Sequence, residues 1–257
     1  MNRKLIRQRK EYLFEKEKEM ENKKLLAKRN SNEEKDCEYN KDFDTDTKIL
    51  LTTSRNPSSR LKQFHKELQY LFPNSINVNR GAYKIKDIYE LGITQGFTDV
   101  ALLHEHRGEP DGLILSHLPV GPTVYFGLTN AVLRHDADEG RQAITQALPH
   151  LIFENFNEEK IGKRFKTILQ NLFPVMKKEE SKRIVTFAGD RDFISVRHHS
   201  YEKLDYNTID LTELGPRFEL RPYMIKLGNL LQGTATIEWS LKSHINTAKK
   251  NKQISEK

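Results

Sequence analysis

The chain has little or nothing of several features that mark secreted, membrane and zinc-binding proteins. Its single cysteine, Cys37, excludes an internal disulfide and cannot by itself build a zinc site made of cysteines. No apolar run approaches the roughly 20 residues that a membrane-spanning helix needs. The basic first residues also lack the apolar segment of a secretory signal peptide. We therefore expect a soluble intracellular protein.

The short motifs that anchor the commoner catalytic chemistries are also missing. The sequence contains no P-loop pattern GxxxxGKS/T, no GxGxxG, no GxSxG and no HExxH. Nucleotide hydrolysis and the usual hydrolase reactions therefore have no recognisable site. The sequence predicts neither a cofactor nor a bound metal ion.

The net charge of +7 is concentrated near the two ends of the chain. Residues 1–30 carry a net charge of +6 and residues 215–257 carry +5, whereas residues 31–48 carry −4 and residues 49–214 are neutral overall. Basic ends of this kind suggest an anionic polymer as partner. Solvated charged tails are the alternative, and charge alone leaves both open.

The first thirty residues predict a basic N-terminal helix. They contain no Gly or Pro, and their apolar residues recur seven apart, which gives a narrow seam on a charged cylinder. Such a helix needs a partner, either a protein groove or nucleic acid, and a free, fraying helix is the alternative. Residues 31–48 are polar and acidic without aliphatics, and they predict a flexible linker.

A stretch of 25 residues occurs twice. Residues 49–73 align without gaps with residues 150–174 at a shift of 101, and nine of the 25 positions are identical. Ordinary composition would give roughly one or two matches. The identical pairs are Leu50/Leu151, Asn56/Asn157, Lys62/Lys163, Phe64/Phe165, Leu68/Leu169, Gln69/Gln170, Leu71/Leu172, Phe72/Phe173 and Pro73/Pro174. The spacing indicates a duplicated domain, which favours two small cores over one large core.

Each copy predicts a strand, a tight turn and a helix. In the first copy Asn56 is the expected N-cap, with Pro57 at the first helical position and Pro73 as the stop. Between them Leu61, Phe64, Leu68 and Leu71 follow the spacing of one helical face. The second copy repeats the pattern from Asn157 to Pro174.

Two hairpins and two Gly-Pro pairs complete the pattern. Residues 99–107 and 113–118 predict a hairpin with its turn at 109–112, and residues 183–188 and 193–199 predict another with its turn at 189–192. The dipeptides Gly121-Pro122 and Gly215-Pro216 each open a strand with one apolar face. The opposite face carries Thr123, Tyr125 and Gly127 in the first copy and Arg217, Glu219 and Arg221 in the second.

The expected fold class is therefore α/β, with two duplicated halves that are each a small mixed-sheet unit. The expected boundaries are 49–148 for the first half, 149–241 for the second half and 242–257 for a basic tail. Helical spacing over residues 83–96 predicts a further helix in the first half.

Several of these stretches together resemble the Brix-domain family. They are TTSRNPSSRLKQFHKEL at 52–68, NRG at 79–81, HEHRG at 104–108, SHLPVGPTVYF at 116–126 and GPRFELRPYMIKLG at 215–228. The resemblance covers nearly the whole chain except the polar linker. It implies two similar halves, each resembling the anticodon-binding domain of class II aminoacyl-tRNA synthetases, which agrees with the duplication found above.

The resemblance also implies a function. Members look like noncatalytic, nucleolar RNA-binding factors of the small-subunit processome, associated with U3 small nucleolar RNA, precursor ribosomal RNA and the proteins Imp3 and Mpp10. The alternatives are a purely protein-binding scaffold and an RNA-processing enzyme that uses the hairpin histidines. Those histidines are His104 and His106 in the first hairpin and His198 and His199 in the second. A metal site needs a third converging ligand, so structural or RNA-contacting histidines are favoured.

The residues expected to bind RNA are basic or hydroxyl-bearing. The start of the first repeated helix is expected to hold a phosphate, whereas Glu158 and Glu159 are expected to repel one in the second copy. The strand after Gly215-Pro216 is expected to be an RNA-facing edge, with a solvated ladder of charges as the alternative. The full set is Arg55, Ser58, Ser59, Arg60, Arg80, Arg107, Lys163, Arg164, Arg217, Arg221 and Lys226.

Overall fold

The computed structural model describes residue 39 and residues 47–136, 143–156, 160–174, 181–205 and 208–241. Residues 45–257 form one compact unit. The predicted N-terminal helix, most of the predicted linker and the predicted basic tail lie outside the described residues. None of the helices in the described part is long and apolar enough to cross a membrane.

The described residues form eleven strands and three helices. The helices are α1 (Ser59–Leu71), α2 (Ile85–Thr94) and α3 (Lys160–Gln170). The strands are β1 (Ile49–Thr53), β2 (Ser75–Asn77), β3 (Asp99–His106), β4 (Glu109–His117), β5 (Thr123–Val132), β6 (His150–Glu154), β7 (Arg183–Asp190), β8 (Phe193–Lys203), β9 (Ile209–Glu213), β10 (Arg217–Leu227) and β11 (Thr236–Ser240).

The strands form one mixed sheet whose order reflects the duplication. The order is β2-β1-β3-β4-β5-β10-β8-β7-β6, with β11 paired to β10 and β9 paired to β8. The strands that follow the two Gly-Pro pairs, β5 and β10, lie antiparallel at the centre. On either side of this pair come a hairpin and then the parallel strand that precedes the repeated helix. The predicted α/β class with a mixed sheet is confirmed.

Helices α1 and α3 cover one side of the sheet, which we call the packed face. The predicted apolar spacing of α1 is confirmed, because Leu61, Phe64, Leu68 and Leu71 are all fully buried. Phe64 of α1 packs edge-on against Phe218 of β10, with ring centroids 5.5 Å apart. The helix of each half therefore reaches strands of the other half, since α3 does the same.

Contacts across the centre overturn the expectation of two separate cores. Phe165 of α3 lies 6.0 Å from Phe126 of β5, and the repeated residues Phe72 and Phe173 lie 5.5 Å from each other. The apolar residues of the two halves thus share one packed face. Sequence repetition showed the duplication, but it carried no information on the pairing of β5 with β10 that joins the copies.

The opposite side, the open face, is covered unequally. In the first half, Ile88 and Tyr89 of α2 pack against Leu50, Val100 and Leu118. In the second half, the described residues place no helix on this face. Its side chains are half-buried or exposed, whereas their neighbours on the packed face are buried. The two copies have therefore diverged in what covers them.

Three local predictions need correction. The N-cap of α1 is Ser58, whose side chain accepts a hydrogen bond from the Leu61 amide, and the helix begins at Ser59 rather than at Pro57. The first hairpin turns at Arg107 and Gly108, both with positive φ, so the predicted turn at 109–112 is part of β4. The predicted cap Asn157 lies outside the described residues.

Candidate nucleic-acid interface

The structure separates the predicted RNA-binding residues into three groups. The first group lies where β1, β2 and β3 end, the second on β10 and the third on α3. They comprise, respectively, Arg55, Ser58, Ser59, Arg60, Arg80 and Arg107; Arg217, Arg221 and Lys226; and Lys163 and Arg164.

The start of α1 is not the open phosphate site that the sequence predicted. The Ser58 amide already donates to both carboxylate oxygens of Glu105, at 3.1 and 3.2 Å. The Arg60 guanidinium pairs with Glu109 at 2.6 Å and with Asp136 at 3.0 Å. A carboxylate therefore occupies the position that a phosphate would take at this helix terminus. Glu158 and Glu159, the contrasting residues of the second copy, lie outside the described residues.

Arg55 and Arg80 lie close together at the carboxyl ends of the parallel strands. Burial, followed by the nearby charge of Arg55, lowers the pKa of Arg80. Burial and then the charge of Arg80 lower the pKa of His104, against an opposing effect of Asp111. This end of a parallel sheet is where α/β proteins commonly bind ligands. Arg107 is exposed in the adjacent hairpin turn.

The second group lies on a central strand, so the prediction of an RNA-facing edge is wrong. Strand β10 has β5 on one side and β8 and β11 on the other. The predicted alternation is nonetheless confirmed, because Phe218 and Leu220 are buried while Arg217 and Arg221 are not. The basic side chains therefore project from the open face of the sheet rather than from its rim.

The basic residues of β10 make mostly local contacts. Arg217 pairs with Glu213 at 3.1 Å, and Arg221 lies 3.9 Å from Asp192. The Arg221 guanidinium also stands over the Phe193 ring, 5.5 Å from its centroid. Of these, Arg221 is the exposed residue, so it is the one best placed for an external anion.

The third group belongs to the packed side of the molecule. The Arg164 side chain is 14% exposed and lies 3.2 Å from Glu238 of β11. Lys163 is exposed on α3. Because α3 lies on the packed face, these two residues do not join the cations of the open face.

The histidines do not form the constellation that a histidine nuclease requires. His198 is fully buried; its Nδ1–H donates to the Gly215 carbonyl at 2.8 Å, and its Nε2 accepts from Arg183 at 3.2 Å. Burial and then the charge of Arg183 lower its pKa to about 4. Both ring nitrogens are therefore engaged inside the protein. Among the described residues, no group of three or more His, Cys, Asp or Glu converges to hold a metal ion.

Sequence reasoning missed the aromatic residues of the open face. Tyr125 of β5 and Tyr223 of β10 lie 5.8 Å apart between ring centroids, and the Lys226 ammonium is 5.4 Å from the Tyr125 ring. The alternation in β5 was a usable signal, because it placed Tyr125 opposite the buried Val124 and Phe126. The pairing of β5 with β10, which brings these side chains beside Arg221, was not visible in the sequence.

Comparison with known proteins gives consistent matches. The sequence profile of the Brix domain family matches residues 54–224. A Brix domain-containing protein of Caenorhabditis elegans is 48% identical over 223 residues, which covers 86% of this chain and 75% of that protein. The U3 small nucleolar ribonucleoprotein protein IMP4 of Homo sapiens is 50% identical over 206 residues, which covers 80% of this chain and 70% of that protein.

One solved structure shows the same fold. The crystal structure of a probable ribosomal biogenesis protein from Aeropyrum pernix K1 matches with a TM-score of 0.52 and 19% sequence identity. The match covers 68% of this chain and 96% of that chain. The mixed α/β architecture with a large sheet and few helices is therefore one that occurs elsewhere.

Proposed function

Because this chain belongs to the Brix domain family, we propose that it is a noncatalytic RNA-binding factor of ribosome assembly that acts within the U3 small nucleolar ribonucleoprotein. One observation carries the proposal, namely the 50% identity to human IMP4 across 80% of the chain. Such similarity extends through the sheet and its helices rather than through one motif. The role is in ribosome biogenesis and ribosomal RNA processing of the small subunit.

The proposal includes partners and a place in the cell. We propose U3 small nucleolar RNA and precursor ribosomal RNA as RNA partners, and Imp3, Mpp10 and other proteins of the small-subunit processome as protein partners. The proposed location is the nucleolus. The contribution of this chain is binding and positioning, since the described residues offer a cationic surface and no converging catalytic group.

The experiment is recovery of RNA crosslinked to the full chain in living cells, followed by sequencing. We expect enrichment of U3 small nucleolar RNA and of small-subunit precursor RNA over other small nucleolar RNAs. Depletion of the protein should cause unprocessed small-subunit precursor to accumulate. Recovery of unrelated RNAs in equal amounts, with normal processing after depletion, would refute the proposal.

A second measurement separates this function from its two alternatives. Purified protein is incubated with structured RNA, with and without a divalent metal ion. Binding without cleavage is expected. Cleavage that is lost in the His104→Ala variant would indicate an RNA-processing enzyme, and absence of RNA affinity at low salt would indicate a pure protein scaffold.

We further propose that each half resembles a class II synthetase anticodon-binding domain and that residues 1–30 become helical only on binding. The supporting observations are the two related halves of the sheet and the narrow apolar seam of the first thirty residues. Circular dichroism should then show nearly equal helix content for the full chain and for a chain that begins at Asp46. A difference of thirty helical residues would mean that the helix is preformed.

A further inference from the structure

The open face carries a group of aromatic and basic side chains that we call the aromatic strip. It consists of Tyr125, Tyr223, Phe193, Arg221 and Lys226. Lys226 stands over the Tyr125 ring and Arg221 stands over the Phe193 ring, so each cation is stacked on an aromatic residue. Tyr223 is 43% exposed, and the Arg221 side chain is 46% exposed. The strip thus offers flat aromatic surfaces beside positive charge.

The strip is continuous with the basic residues of the first half. Strand pairing puts His104, Gly112, Gly127 and Arg221 in one row across β3, β4, β5 and β10. At about 4.8 Å between neighbouring strands, His104 and Arg221 are about 14 Å apart. Arg80 lies beside His104 at the other end of this row. One path therefore runs from Arg80 to Phe193 along the open face.

Two glycines form the floor of this path, and the fold does not require them. A Cβ at Gly127 would come no closer than 3.8 Å to any neighbouring atom, and one at Gly112 no closer than 3.5 Å. Neither residue has a positive φ. Glycine inside a strand lowers stability, and it often marks a place where a ligand approaches the backbone. Here the paired glycines leave the middle of the path free of side chains.

We propose that the aromatic strip and its glycine floor bind single-stranded RNA, with unpaired bases stacked on Tyr223 and Phe193 and phosphates near Arg221 and Arg80. This inference rests on the proposed RNA-binding function and names the surface and the form of RNA. Sheets that read single-stranded RNA stack about two or three bases on aromatic side chains in this way. Stacking on aromatic faces next to a basic path tolerates different sequences.

The charges of the path favour unpaired RNA over a duplex. Asp111, Asp192 and Glu219 lie among the cations, Asp192 near Arg221 and Glu219 accepting from Asn130. These carboxylates repel phosphates, which are all that a duplex backbone would present here. Base edges carry amino donors that a carboxylate accepts. A splayed strand places its bases over the middle of the path and its phosphates at the basic ends.

The test is fluorescence anisotropy with the full chain and two labelled probes, an unstructured RNA of about 12 nucleotides and a hairpin duplex of the same composition. The variants are Tyr223→Ala, which removes one stacking surface, and Gly127→Val, which fills the floor. The matched control is Tyr70→Ala, because Tyr70 is a 53% exposed tyrosine on α1, on the packed side. Thermal unfolding is measured for each variant, and Gly127→Val is expected to fold at least as stably as the natural chain.

We expect Tyr223→Ala and Gly127→Val each to weaken binding of the single-stranded probe by roughly 5- to 100-fold, the effect of one lost stacked base. Tyr70→Ala should stay within about twofold, and the duplex should be affected less than the single strand. If both strip variants bind the single strand as the natural chain does, the strip is refuted while RNA binding stands. Equal losses on both probes would refute the preference for unpaired bases. If the natural chain binds neither probe, both the strip and the proposed RNA-binding function fail.

Discussion

At the scale of single residues, the buried arginine of β7 joins parts of the chain that are far apart in sequence. Arg183 donates to the carbonyl oxygens of Tyr70, Thr145 and Ala147, at 2.6, 2.9 and 2.9 Å, and to His198 at 3.2 Å. Burial lowers the pKa of Arg183 to about 10, so it remains charged at neutral pH. His198 must be neutral to accept this bond, because its other nitrogen already donates to the Gly215 carbonyl.

This requirement makes stability depend on pH. The pKa of His198 is about 4 in the folded chain and about 6.5 in the unfolded chain, so the unfolded chain binds more protons between these values. Stability is therefore complete above about pH 6.5 and falls as the pH is lowered toward 4, by up to about 3 kcal/mol from this one group. We predict that His198→Gln, which keeps a donor and an acceptor but does not titrate, reduces this dependence.

The measurement is the free energy of unfolding from urea titrations between pH 7 and pH 4.5. His106→Gln is the control, since His106 is exposed at the end of β3. His65 is also buried with a lowered pKa, so the natural chain and the variant both keep a residual slope, and their difference reports His198. Parallel curves for the natural chain and His198→Gln would contradict the assignment.

At the scale of the elements, local pattern predicted more than the ends of the elements did. The spacing of Leu61, Phe64, Leu68 and Leu71 predicted the buried side of α1 because a helical period depends only on neighbours in sequence. The cap was missed because Glu105, 47 residues away, takes the amide of Ser58. Likewise, the faces of β10 followed from alternation, whereas its central place followed from pairing with β5, which no local signal reports.

The Glu105 carboxylate at the start of α1 provides a prediction for that helix. It accepts from the Ser58 amide and opposes the partial positive charge of the helix terminus. We expect Glu105→Gln to lower the free energy of unfolding by about 1 kcal/mol, because the charge is lost while an acceptor remains. The exposed Glu154 at the end of β6 supplies the control variant Glu154→Gln, which should have almost no effect. Urea unfolding distinguishes the two, and equal effects would argue against a capping role.

The two basic groups on opposite sides of the sheet give a prediction for RNA affinity. Arg55→Gln with Arg80→Gln removes the adjacent cations at the carboxyl ends of β1 and β2. This pair should flatten the dependence of affinity on salt by up to about two phosphate contacts. Lys163→Gln with Arg164→Gln should change it less, since Arg164 is engaged with Glu238. The measurement is a salt series with unchanged melting transitions, and a larger loss for the second pair would reverse the assignment.

At the scale of the whole molecule, the duplication gives one sheet rather than two domains side by side. The pairing of β5 with β10 makes the sheet continuous. Phe64 of the first half packs on Phe218, and Phe165 of the second half packs on Phe126. Each helix thus needs the other half to complete its apolar surroundings. We therefore expect the halves to unfold together, although their sequences are related as two copies.

The single tryptophan of the chain makes this expectation measurable. Trp239 of β11 packs edge-on against Phe165, with centroids 5.6 Å apart, so its fluorescence reports the second half. Phe64→Leu alters a buried residue of the first half and should cost about 1 to 2 kcal/mol. If the sheet unfolds as one cooperative unit, the urea transition of Trp239 fluorescence shifts by the same free energy as the transition of far-UV circular dichroism. Ile76→Ala, at a 53% exposed position of β2, should shift neither. A fluorescence transition that stays in place in Phe64→Leu while the dichroism transition splits in two would mean that each half keeps its own core, because only independent cores let the tryptophan side ignore a lost contact in α1.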